Sequence, residues 1–151
     1  MSYKYVICGF SGVGKSTAEQ KHNSVIDFES SGYSHFFDTK KMGEKNPTFP
    51  RNYIDALCSL IDKGKENIFL LSCHEEVRKE LKSRGIDYII VLPTKDQKNE
   101  YIKRWLKRGS SLEFIEMMDN KWLSMHASCE EDSATKIYLS EGEYIDDVLP
   151  M

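Results

Sequence analysis

Gly9-Phe10-Ser11-Gly12-Val13-Gly14-Lys15-Ser16 decides how the rest of the chain is read. It fits the spacing Gly-x-x-x-x-Gly-Lys-Ser, and the apolar run Tyr5-Val6-Ile7-Cys8 leads into it, so a strand enters the loop and a helix leaves it. Glycines let the backbone curl with its N–H groups inward, where a side chain would collide with the oxygens of a polyphosphate. Lys15 adds a point charge, and the helix beginning at Lys15 or Ser16 turns its positive end toward the same oxygens. The Ser16 hydroxyl is placed to ligate magnesium. The loop therefore predicts a nucleoside triphosphate with Mg²⁺, contacted by Gly9, Ser11, Gly12, Val13, Gly14, Lys15, Ser16 and Thr17.

Downstream, Ser16 to Lys21 gives about two helical turns before His22-Asn23 breaks the pattern. Ser24-Val25-Ile26-Asp27-Phe28 reads as a second strand that delivers Asp27 and Glu29 at its C-terminal end. Ligands of parallel α/β sheets gather at that edge, so both carboxylates are expected to face the loop. From Gly32 to Pro50 the composition turns aromatic and loop-forming, with Tyr33, His35, Phe36, Phe37, Lys40, Lys41 and Gly43. A segment this long without periodicity reads as a binding loop; its aromatics either sandwich a base or sugar or pack in the core. Pro50 suits the start of a helix whose face carries Ile54, Leu57, Cys58 and Ile61. Arg51 falls in its first turn, where the dipole disfavours a cation unless an anion is near, so it is either an acceptor contact or a surface arginine.

Asn67 to Ser72 and Asp87 to Pro93 are nearly continuous apolar runs, as in strands covered on both faces, and the helix Glu75 to Arg84 between them closes at Gly85. The alternation specifies an α/β domain with helices wrapped about a parallel sheet. The third strand ends in Ser72-Cys73-His74, which makes His74 a site candidate. A helix from Asp96 to Lys107 ends in cations, with Arg104 and Arg108 one turn apart and Gly109 closing the turn. Phosphoryl transfer needs positive charge on the migrating group, and an arginine-bearing lid supplies it. Phe114, Ile115, Met118, Trp122 and Met125 form the core stripe of a helix from Ser111 to about His126. Glu130-Glu131-Asp132 reads as a solvated loop, Lys136 to Leu139 as the last strand and Tyr144 to Leu149 as a short terminal helix.

The 151 residues suffice for one domain, and a formal charge of −3 argues against a large nucleic-acid footprint. Apolar runs too short to span a bilayer, with no signal-peptide pattern, point to the cytoplasm. The four cysteines lack a C-x-x-C pair and read as reduced thiols; neither they nor the four histidines have metal-ligand spacing.

This order of elements resembles the P-loop nucleoside monophosphate kinase superfamily, and more closely small kinase-like proteins encoded by bacteriophages. The likeness rests on Gly9 to Ser16, Val25 to Ser31, Asn46-Pro47 with Phe49-Pro50 and Asn52-Tyr53-Ile54, Leu71 to His74 with Val77-Arg78, and Arg108-Gly109. It implies a three-layer fold with a five-stranded parallel sheet in the order 2-3-1-4-5 and helices on both faces. It also implies ATP as donor, an acceptor-binding segment over residues 29–64, a lid over 103–112 and, for a phage protein, the host cytoplasm. Lys15 and Ser16 match the donor site, Asp27 and Arg51 the acceptor side, and Arg104 with Arg108 the lid. The adenylate kinase signature Asp-Gly-Phe-Pro-Arg is missing after the third strand. Three functions stay open: phosphoryl transfer to a nucleoside or deoxynucleoside monophosphate, transfer to a hydroxyl of a small molecule or nucleic-acid end with Asp27 as base, and nucleotide binding without chemistry. Catalytic roles fall to Lys15, Asp27, Arg104 and Arg108, and acceptor contacts to Asp27, Glu29, Arg51 and His74.

Overall fold

Three apolar runs become the middle of a parallel sheet in the computed structural model, which describes residues 4–34 and 44–150. Strand β1 (Tyr5–Gly9) lies between β3 (Ile68–Ser72) and β4 (Ile89–Pro93), with β2 (Val25–Asp27) outside β3 and β5 (Thr135–Leu139) outside β4. The order is thus β2-β3-β1-β4-β5, and every pairing is parallel. Successive residues of β1, β3 and β4 are buried, which requires cover on both faces and makes the domain three-layered.

The cover comes from α1 (Lys15–Lys21), α2 (Ser31–Ser34), α3 (Arg51–Lys63), α4 (Glu75–Ser83), α5 (Lys98–Lys107) and α6 (Leu112–Glu131), with 3₁₀ turns at Lys95–Gln97 and Ile145–Val148. Helix α3 packs on α4, and α5 on α6. No helix among the described residues is long and apolar enough to cross a membrane.

One open alternative resolves and one expectation changes. Tyr33 joins a packed aromatic group: Phe28 stacks on Tyr53 at 4.7 Å, Tyr33 lies 5.4 Å from both rings and Phe49 is 5.9 Å from Tyr53. The Tyr53 hydroxyl closes the group by donating to the Phe28 carbonyl. Tyr33 is therefore partly buried core, while His35, Phe36, Phe37, Lys40, Lys41 and Gly43 lie outside the described residues.

Glu130-Glu131-Asp132 is not a loop. Glu130 and Glu131 complete α6, and Asp132 turns inward, its side chain 2% exposed. It accepts from Arg78 (2.9 Å), Lys82 (2.9 Å), the Tyr88 hydroxyl (2.8 Å) and the Ala134 N–H (2.8 Å). Burial pushes this carboxyl up, but those donors outweigh it and hold it far below the usual carboxylate range.

Candidate functional site

The loop is shaped by the protein alone. Phe10 and Val13 are fully buried, Phe10 lying edge-on to Trp122 at 5.2 Å and to Tyr101 at 6.4 Å, and these two anchors turn the intervening backbone outward. Gly12 and Gly14 have φ of 94° and 95°. A Cβ at Gly14 would lie 2.9 Å from Tyr144 Cδ1, and one at Gly12 3.0 Å from Trp105 Nε1, so both positions exclude a side chain by conformation and by space.

Three loop carbonyls are taken up by donors of the protein itself. Arg104 Nη1 donates to Gly12 O at 3.0 Å, the Ile145 N–H to Val13 O at 2.8 Å, and Lys15 Nζ to Gly9 O at 3.1 Å. The N–H groups of Ser11, Gly12, Gly14, Lys15 and Ser16 find no acceptor among the described residues. Unpartnered N–H groups curling into the start of a helix make an anion cradle.

A cavity of about 640 Å³ opens over this cradle. Gly9, Ser11, Gly12, Gly14, Lys15, Ser16 and Thr17 all line it, whereas Val13 is turned into the core. Parallel pairing brings the ends of β2 and β3 to the same edge, so Asp27, Glu29 and Ser72-Cys73-His74 form the facing wall. Ser72 Oγ and Ser30 Oγ share a 2.7 Å hydrogen bond that ties this wall to the start of α2. Asp27 Oδ1 is buried without a partner. Burial raises the Asp27 carboxyl, Glu29 adds to the rise, and the charge of Lys15 opposes it.

Arg51 is not brought to the cavity. It is exposed at the start of α3, and its carbonyl accepts from Arg84 Nη2 at 3.2 Å. Arg84 also pairs with Asp55 at 2.7 Å, so this end of α3 is fastened to α4.

Residues 103–112 form the corner between α5 and α6. They comprise the last turn of α5, a corner at Gly109 (φ 85°) and the start of α6, where the Ser111 hydroxyl accepts from the Phe114 N–H at 3.1 Å. Trp105, fully buried and 6.1 Å from Trp122, fixes the corner to the core. The two arginines divide there. Arg104, its side chain 9% exposed, is sandwiched between Tyr101 (4.4 Å) and Tyr144 (3.9 Å), and its Nη2 donates to Glu143 O at 2.7 Å. Arg108 is exposed and reaches over the loop, its Nη2 donating to Ser11 Oγ at 3.2 Å.

Lys107, Phe114, Met117, Met118 and Tyr144 also line the cavity and were given no site role by sequence, Phe114 and Met118 being read as core. Lys107 had a visible signal in the cation cluster; Tyr144 had none, because its place beside Gly14 depends on the course of the chain after β5. A second cavity, about 540 Å³, opens at the opposite edge beside Lys4, Asp87 and Thr135 and has no glycine cradle.

The donors suit magnesium. The Ser16 hydroxyl and the unpartnered Asp27 oxygen are hard ligands on one cavity, which nucleotide phosphates would complete. Among the described residues no group of three or more His, Cys, Asp or Glu could hold a metal ion by itself. Compared with known proteins, the chain matches no family model and no curated protein.

Proposed function

We propose that this protein transfers the γ-phosphoryl group of ATP, with Mg²⁺, to a nucleoside or deoxynucleoside monophosphate in the cytoplasm. The observation that carries the reading is the cradle: five N–H groups without acceptors among the described residues, with Lys15 and Arg108 on the same cavity. The N–H groups would hold the donor's phosphate chain, and Lys15 would exchange its contact with Gly9 O for a phosphate oxygen. Arg108 would move from Ser11 Oγ to the migrating group, and Arg104 would keep the Gly12 carbonyl from repelling the anion. Magnesium, held by Ser16 and Asp27, would supply neutralising charge to the phosphates. A monophosphate is substantially ionised at neutral pH, its second pKa being about 6, so alignment and cationic shielding suffice without a base.

Asp27 supports a second reading. A hydroxyl acceptor must lose a proton, and a carboxylate with a buried unpartnered oxygen and an upward-shifted pKa is suited to take it. Incubation with γ-labelled ATP, Mg²⁺ and a panel of monophosphates, nucleosides and oligonucleotide ends separates the readings. Label on a monophosphate, with only modest loss in Asp27→Asn, supports the first; label on a hydroxyl, with near abolition in Asp27→Asn, supports the second. Binding of ATP with no acceptor labelled sinks both and leaves a nucleotide-binding module. Lys15→Ala is expected to silence transfer with the fold intact.

A further inference from the structure

The cavity has an apolar side that handling phosphates does not need. Strand order puts two walls on opposite sides of the loop that follows β1: β2 and β3 end on one side, and the corner between α5 and α6, which lies on the path from β4 to β5, comes over from the other. Arg104 and Arg108 fasten that corner to Gly12 and Ser11, so the first turns of α6 border the cradle. Phe114 and Met117 line the cavity from there. The Phe114 ring stands edge-on to Trp105 at 5.8 Å, and the Arg108 guanidinium carbon lies over it, 5.4 Å from its centroid. Met117, 39% exposed, is the adaptable thioether beside it. A ring fixed by a second ring and flanked by a thioether is a surface on which a planar heterocycle stacks. On the other wall, the Glu29 side chain makes no hydrogen bond or ion pair among the described residues, and an ionised carboxylate can only accept.

We propose that Phe114 and Met117 are the platform for the acceptor's base, and that Glu29 selects a base with an exocyclic amino group: adenine, guanine or cytosine ahead of thymine or uracil. The proposal rests on the monophosphate reading above and names the acceptor class within it. The two walls contribute differently. Stacking on Phe114 and Met117 is blind to base identity, because every base has a π-face, so it separates acceptors with a base from those without one. When Arg108 swings to the migrating group, it uncovers the Phe114 face that it occupies here. Glu29 then reads the edge. Adenine, cytosine and guanine each present an amino donor to a carboxylate, whereas thymine and uracil present a single N–H flanked by two carbonyl oxygens. Those oxygens would be set against the carboxylate and lose their water without gaining a donor.

The test is calorimetry on the full chain saturated with Mg²⁺ and β,γ-imido-ATP. It is titrated with the monophosphates of the five bases, as ribo- and deoxyribonucleotides, and with ribose 5-phosphate and 2-deoxyribose 5-phosphate, which carry no base. Amino-bearing monophosphates are expected to bind on the order of tenfold more tightly than those of thymine and uracil, and the sugar phosphates most weakly. Phe114→Leu and the more exposed Met117→Ala should each weaken every base-bearing ligand several-fold and leave the sugar phosphates unchanged. Glu29→Gln, whose amide both donates and accepts, should narrow the gap between the two groups of bases. Sugar phosphates binding as well as nucleotides, thymine and uracil binding as well as the rest, or a Met117→Ala that weakens imido-ATP instead would overturn the proposal while leaving the monophosphate reading intact. Imido-ATP bound with neither a monophosphate nor a sugar phosphate following it would sink both.

Discussion

Arg104 and Arg108 stand one helical turn apart but relate oppositely to solvent, and substitution should separate them. Arg104→Ala removes two charge-assisted bonds to carbonyls and a cation stacked between two rings, so the loop loses its brace. A stability loss of about 3 kcal/mol is expected in urea titration, together with weaker ATP binding. Arg108→Ala should change stability by less than about 0.5 kcal/mol while reducing transfer on the order of a hundredfold in single-turnover assays. Asp27 provides a pH signature. Its folded pKa is raised, so the protonated form is favoured by folding; that stability is complete below the ordinary aspartate value of 3.8 and is lost as pH rises through the folded value. Asp27→Asn, which stays neutral, should therefore melt higher than the parent chain near pH 7 without nucleotide, and the difference should shrink toward pH 4. Equal melting temperatures at both pH values would contradict this.

At the scale of elements, the end of α6 shows where the sequence was legible and where it was not. The strands β1, β3 and β4 announce themselves because each is a contiguous apolar run, and the loop because its glycine spacing is local. Asp132 gives no such signal, since it follows two acidic residues that belong to the solvent-facing turn of α6. Its donors Arg78, Lys82 and Tyr88 come from α4 and the approach to β4, and only the tertiary fold brings them together. The same holds for Arg104, whose acceptors on Gly12 and Glu143 are set by packing. Removing the carboxylate strands a buried guanidinium, so Asp132→Ala should destabilise by about 3–5 kcal/mol in chemical denaturation. The native pKa of Asp132 is depressed, so its contribution is present above 3.8 and lost as pH falls through the folded value; the gap between parent and variant should narrow in acid.

Across the whole molecule, the cradle near the start of the sheet is finished by residues beyond its last strand. The Ile145 N–H holds Val13 O, Glu143 O anchors Arg104, Tyr144 covers Gly14, and Asp146 pairs with His22 at the end of α1 at 2.5 Å. A chain shortened to end after Ser140 should keep its five strands yet lose ATP binding by calorimetry and melt at lower temperature; full affinity in that truncation would contradict the role given to these contacts. The same geometry bears on how the protein is made. Gly9 to Ser16 is translated long before Ile145, so Val13 O lacks its brace until position 145 clears the exit tunnel. A chain stalled between those two points therefore carries the motif with one of its braces missing.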